Sequence, residues 1–216
     1  MSASTSTVLD RLSAVGVIPV IALDDAAQAA PLAEALAEGG LPAAEITFRT
    51  DAAAEAIAAA VQARPDVLVG AGTVVAAEQV DAAADAGAQY IVSPGTSARV
   101  IERAQHRGLP VLPGAVTATE IQAALECGLD TVKFFPAGTS GGPAAIKALA
   151  APFGGLSFVP TGGVSLNNLA DYLSLPAVRA VGGSWITPQG ALNAGDYAQI
   201  RHLAAEAAAA VAEIRG

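Results

Sequence analysis

Thr131-Val132-Lys133-Phe134-Phe135-Pro136 reads as a short buried β-strand with one ionisable residue among apolar ones. Its β-branched and aromatic residues favour a pleated, packed surface, and the proline ends the run because it cannot donate to a ladder. Burial disfavours an ammonium ion and lowers its pKa, since the charge loses its hydration. Bringing a lysine from about 10.4 down by roughly 3 units takes about 4 kcal/mol of differential solvation. The neutral amine is a nucleophile toward carbonyl carbon. The chain holds only two lysines, Lys133 and Lys147, and Lys147 falls on a helical pattern as a solvated surface charge. The competing reading of Lys133 is a packed stem at a strand end with its head in water; the rest of the chain decides between the two.

Seven further apolar runs of this kind occur at 17–23, 43–48, 67–71, 90–92, 110–112, 157–160 and 179–181. Between them lie alanine-rich segments with helical periodicity at 26–38, 52–63, 77–86, 97–106, 118–127, 143–150 and 166–172, and a last one at 196–214. Alternating strands and helices are the pattern of repeated βα units. Eight strand runs in 216 residues predict an α/β fold, a closed (β/α)8 TIM barrel of one domain over 1–216, with a cap helix ahead of Val17. The alanine runs at 58–60 and 207–210 sit within apolar periodicity and read as ordered helix. Gly39-Gly40, Gly87, Gly108 and Gly128 each follow a helical pattern, as left-handed C-terminal caps. An open doubly wound sheet gathers its ligand residues at one switch point. Here the polar residues are spread over many strand ends.

A formal net charge of -9 argues against nucleic acid or an anionic membrane as partner. A lone cysteine, Cys127, leaves no intrachain disulfide and fits a reducing cytosol. Residues 1–7 carry neither a basic region nor an apolar one, and no apolar run nears the ~18 residues of a membrane span. A soluble cytoplasmic protein is expected.

In a parallel barrel the site lies at the C-terminal ends of the strands. The second run ends Glu45-Ile46-Thr47-Phe48-Arg49-Thr50, and a period of two puts Glu45, Thr47 and Arg49 on one face and Ile46 and Phe48 on the other. The same parity puts Thr131, Lys133 and Phe135 together in the sixth. Both strands aim a charge into the lumen; a structural ion pair between Glu45 and Arg49 is the plainer alternative. Gly70-Ala71-Gly72-Thr73 leaves space beside a hydroxyl that can bond a ligand. Ser93-Pro94-Gly95 and Pro113-Gly114-Ala115 are turn chemistry that shapes a pocket floor. Thr161-Gly162-Gly163 and Gly182-Gly183-Ser184 place glycine pairs after the seventh and eighth runs, where barrels commonly bind phosphate through backbone N–H groups. His106 and His202 lie in helical segments, so no histidine is placed to join Glu45 around a metal, and neither metal nor cofactor is expected.

This set of motifs, with Val17-Ile18-Pro19-Val20-Ile21 and Trp185, resembles the 2-keto-3-deoxy-6-phosphogluconate aldolases, Schiff-base (class I) aldolases of the Entner–Doudoroff pathway. The resemblance implies Lys133 as Schiff-base lysine and Glu45 as general acid/base. It implies Arg49 and Thr73 as holders of the pyruvate-side carboxylate, and Thr161, Gly162, Gly163, Gly183 and Ser184 around the phosphate. It further implies that Pro94 and Phe135 line the substrate, a phosphorylated keto acid, and that the assembly is a homotrimer. Gly138, and the loops 96–98 and 115–117, depart from the commoner family sequence and bear on specificity. The Arg49-Thr50 pair favours the gluconate over the galactonate series. The alternatives are a 4-hydroxy-2-oxoglutarate aldolase or a dual-activity enzyme using the same imine chemistry, and, more distantly, a phosphosugar isomerase or a phosphometabolite binder.

Overall fold

The computed structural model describes residues 3–216, with side chains described from Val8; Met1 and Ser2, the start of the stretch read for a leader, lie outside the described residues. In order the elements are α1 (Ala3–Val15), β1 (Val17–Ile21), α2 (Ala29–Glu38), β2 (Ala43–Thr47), α3 (Ala53–Ala63), β3 (Leu68–Gly72), α4 (Ala77–Asp85), β4 (Ile91–Val92), α5 (Ala98–His106), β5 (Val111–Leu112) and α6 (Ala118–Glu126), then β6 (Thr131–Phe134), α7 (Gly142–Ala150), β7 (Ser157–Pro160), α8 (Leu169–Leu173), β8 (Val181–Gly183), α9 (Gln189–Ala194) and α10 (Tyr197–Arg215). The helices end as their sequences dictate. Thr117 and Glu120 form a reciprocal capping box at the start of α6, and Gly87 and Gly128 take the left-handed backbone after α4 and α6.

The strands pair in parallel. A curled six-stranded sheet runs β5-β4-β3-β2-β1-β8, and β6 pairs with β7 in a second sheet. A bridge from Gly114 to Lys133 joins the two sheets at one seam, and bridges from Phe158 to Val178 and from Thr161 to Gly182 join them at the other.

The structure departs from the sequence reading at several elements. The eighth strand covers Val181–Gly183 rather than 179–181, because Gly182 and Gly183, read as loop, pair with Ile18 and Pro19 of β1. Glycine carries no side chain to mark a period of two. The second and sixth strands stop at Thr47 and Phe134, so Phe48, Arg49 and Phe135 lie just past the ladders. The segment at 166–172 divides into a 3₁₀ turn, Leu166–Asn168, and the short α8, while α9 follows Pro188 where no helix was read.

The period of two divides the core. Ile18, Ala43, Leu68, Tyr90, Val92, Leu112 and Val159 point to the concave side and join Leu9 and Leu12 of α1 in one buried cluster. Their alternates, among them Ile21, Ile46, Val69, Ile91, Val132, Phe134 and Phe158, face the helices in a second, larger one. Ala43 and Leu68 begin their strands, so α1 plugs the N-terminal end of the sheet, as a cap helix should. Removing a plug side chain leaves a cavity the strands cannot close. Leu12 is 2% exposed, and Leu12→Ala is expected to lower the unfolding free energy by about 2–5 kcal/mol. Urea denaturation reads this as a reduced midpoint; an unchanged midpoint would mean that α1 seals nothing.

Candidate active site

Alternation along β2 and β6 turns Glu45 and Lys133 to the concave side, above the apolar layer that Tyr90 and Leu112 form. Lys133 Nζ donates a hydrogen bond to Glu45 Oε1 at 3.2 Å, with the two side chains 5% and 3% exposed. The carboxylate therefore pairs with the lysine, and the Glu45–Arg49 pair considered above does not form. The backbone of Lys133 is clamped, its N–H donating to Pro113 O at 2.8 Å and its carbonyl accepting from Ala115 N at 2.9 Å. The ring of Phe135 lies over the ammonium, 5.0 Å from Nζ to its centroid. At that separation the ring's negative face attracts a cation.

Arg49 is exposed at the rim and is aimed by a relay: its Nε donates to Thr47 Oγ1 at 3.0 Å, and that hydroxyl donates to Ile21 O at 2.9 Å. The relay keeps Arg49 on the side its parity predicts although β2 has ended. Thr47 was not among the expected site residues, yet a threonine on the inward parity between two charged residues was the signal for it. Thr73 follows β3 with φ 55°, a left-handed conformation that costs a β-branched residue free energy. Its hydroxyl makes no hydrogen bond to the other described residues. Tyr90 was also missed. It is fully buried, occupies the place where Gly70 would carry a Cβ, and donates to Ala44 O at 2.8 Å. Burial, and secondarily the charge of Glu45, hold its phenol well above the usual tyrosine range, so it stays neutral beneath the charged pair.

The remaining predicted residues form the rim. Pro94 is half-buried, and its carbonyl stands 2.1 Å from where a Cβ on Gly114 would be, so only glycine lets the two turns meet beside Lys133. Past β6 and β7 the chains stay zipped, with Ala137 N donating to Thr161 O at 2.8 Å and Gly138 N to Gly162 O at 2.9 Å. Gly162 and Gly163 have φ of 89° and 82°, and the Phe135 ring lies against the open side of Gly162. Thr161 is buried, and its side chain fills the place of a Cβ on Gly182. Gly183 lies in the β8 ladder with the Trp185 ring where its Cβ would stand, and Ser184 is exposed at the strand end. Lys147 is exposed on α7. Among the described residues no three His, Cys, Asp or Glu side chains gather as a metal site, and no helix is long and apolar enough to cross a membrane. A cavity of about 410 Å³ lies at the other end of the strands, lined by Leu9, Leu109, Cys127 and Asp130 among others. In its lining the Thr131 hydroxyl donates to Asp130 Oδ1 at 3.0 Å, and no amine is present; the buried ammonium–carboxylate pair lies at the Lys133 end.

A buried amine beside a buried carboxylate, with a guanidinium at the rim, is a set of groups that can form an imine with a carbonyl compound and hold an anion. The family model described as KDPG and KHG aldolase matches residues 8–203, and the chain belongs to that family. It is 49% identical over 197 residues to the 2-dehydro-3-deoxy-phosphogluconate aldolase of Treponema pallidum, covering 91% of this chain and 94% of that one. A Zymomonas mobilis 2-keto-3-deoxy-6-phosphogluconate aldolase, solved with 3-phosphoglycerate, superposes with a TM-score of 0.88 at 41% identity, covering 95% of each chain. A Legionella pneumophila KDPG aldolase, with pyruvate captured at low pH as a covalent carbinolamine intermediate, also gives 0.88, at 37% identity over 91% of this chain and 96% of that one.

An ion pair this buried is held together by its partner rather than by water. Lys133→Met strands the Glu45 carboxylate and is expected to lower the unfolding free energy by about 3–5 kcal/mol. Adding Glu45→Gln removes the stranded charge, so the double variant should denature at higher urea than Lys133→Met alone. A double variant less stable than the single one would contradict the pairing.

Proposed function

We propose that this protein is an aldolase that cleaves 2-dehydro-3-deoxy-6-phosphogluconate to pyruvate and glyceraldehyde 3-phosphate through a Schiff base on Lys133. The observation that carries this reading is the buried contact of 3.2 Å between Lys133 Nζ and Glu45 Oε1. It belongs to a chain whose relative holds pyruvate as a carbinolamine. Glu45 can take a proton from the Lys133 ammonium, leaving the amine lone pair to attack the C2 ketone. Loss of water from the carbinolamine gives an iminium ion. Glu45, freed of its proton and acting through a water, then accepts the C4 hydroxyl proton. As the C4–O bond becomes a carbonyl, the C3–C4 bond breaks and its electron pair moves into the iminium, leaving an enamine. The aldehyde departs as glyceraldehyde 3-phosphate. Protonation of C3, with the same carboxyl as relay, regenerates the iminium, and water hydrolyses it to pyruvate and the free lysine. Such proton transfers contribute roughly 10²–10⁴-fold each.

Arg49 holds the substrate carboxylate, because its planar fork binds two oxygens at once and its Nε is already fixed on Thr47. Thr73 donates to the same carboxylate, and Pro94 and Phe135 shape the pocket around the imine. Gly162, Gly163 and Ser184 receive the phosphate, with Thr161 and Gly183 setting the ends of the two strands. Two consecutive left-handed glycines expose backbone N–H groups of the kind that cradle an anion. The three bridges across the sheet seams support reading the chain as one domain, a closed (β/α)8 barrel. A homotrimer in the cytoplasm is the expectation that accompanies membership of the family.

Pyruvate release, followed with excess lactate dehydrogenase, tests the reading. Wild type should cleave the phosphorylated substrate in preference to 4-hydroxy-2-oxoglutarate. Ser184→Ala should raise KM for the former about tenfold, the size of one charge-assisted hydrogen bond, and leave the latter unchanged. Equal use of both substrates by both proteins would make this a dual-activity enzyme with no phosphate contact at Ser184, and preference for 4-hydroxy-2-oxoglutarate would assign the site to the non-phosphorylated keto acid.

A further inference from the structure

We infer that Gly72 is a positioning residue for the Glu45 carboxyl, its missing side chain being the space in which that group stands. The inference rests on the role proposed above for Glu45. In the β2·β3 ladder Glu45 lies opposite Gly70 and Thr47 opposite Gly72, so Gly72 is the diagonal neighbour of Glu45 toward the C-terminal end. A long side chain leaning along its strand reaches that position. A Cβ on Gly72 would stand 2.3 Å from Glu45 Oε1, 2.6 Å from Cγ and 2.8 Å from Cδ, all far inside van der Waals contact.

Backbone conformation does not call for glycine here. Gly72 is absent from the residues with positive φ and sits at the end of a regular strand, its carbonyl accepting from Phe48 N at 2.8 Å. Space is what remains. The carboxyl has no retreat along the lumen either, since the Tyr90 ring fills the corresponding place at Gly70. Lys133 Nζ closes the third side at 3.2 Å. A methyl group at position 72 therefore moves the tip of a flexible side chain rather than backbone, and it moves the one carboxyl that faces Lys133. Displacing a reacting group by about 1 Å costs on the order of 100-fold in rate.

The step to read is exchange of the pyruvate methyl protons in D2O, which needs the imine and then proton removal from C3. Gly72→Ala is expected to slow exchange about 100-fold. After equilibration with pyruvate, the fraction of Lys133 trapped by borohydride should stay within about threefold of wild type, because the carboxyl speeds imine formation without setting its equilibrium; loss of folding would not produce this split. Adding Gly72→Ala to Glu45→Ala should cost nothing further, because the methyl acts only through the carboxyl. Exchange by Gly72→Ala at close to the wild-type rate, or a double variant slower than Glu45→Ala by the full factor of Gly72→Ala, would overturn the inference. If Gly72→Ala alone does not fold, folding of the same substitution in Glu45→Ala upholds it and failure there overturns it. Wild-type exchange by Glu45→Ala would instead refute the role of Glu45, a separate failure.

Discussion

One buried contact, an ammonium on β6 against a carboxylate on β2, constrains the interior around it. Each charge loses its hydration and is compensated mainly by the other, so neither can be removed or displaced cheaply. The neighbouring positions meet that demand. The Lys133 backbone is bonded on both sides to the turn after β5, and Tyr90 lies beneath the pair in neutral form. Small residues line β3 where larger ones would collide with the carboxyl and the ring. Strand stability is sacrificed at Gly70 and Gly72 for the sake of what stands in their place.

The same arrangement explains how a chain of net charge -9 accommodates an anion. Long-range attraction is absent, so the work falls to local donors. Lys133 is committed to Glu45, and Arg49 stands at the rim on a side chain that Thr47 fixes. For the proposed phosphate end, backbone N–H groups would serve in place of a cation, and Gly162 and Gly163 have the positive φ that glycine adopts readily. Acidic side chains are meanwhile taken up on the outer face, as where Asp81 on α4 bonds both Arg103 and Arg107. Those two arginines hold its carboxyl below the usual range.

Periodicity carried most of the fold into view. A period of two gave the faces of β2 and β6, and with them the meeting of Glu45 and Lys133 on one side of the sheet, although 88 residues separate them. Helix-terminal glycines marked the ends of α4 and α6. What stayed hidden was either featureless in side chain or decided by distant neighbours. Gly182 and Gly183 look like loop and are strand because β1 offers them a ladder. Glu45 could have paired with Arg49 four residues on, and pairs across the interior instead because Arg49 lies past the end of β2 at the exposed rim. The functions of Thr47 and Tyr90 are set by what packs against them, which no local pattern records.

The most direct test of this account is reduction with borohydride in the presence of pyruvate, followed by peptide mapping by mass spectrometry. One pyruvate-derived adduct is expected, on Lys133, with Lys147 unmodified. Pyruvate that binds without any adduct on Lys133 would contradict it, and the buried pair would then be a structural feature of a binding protein.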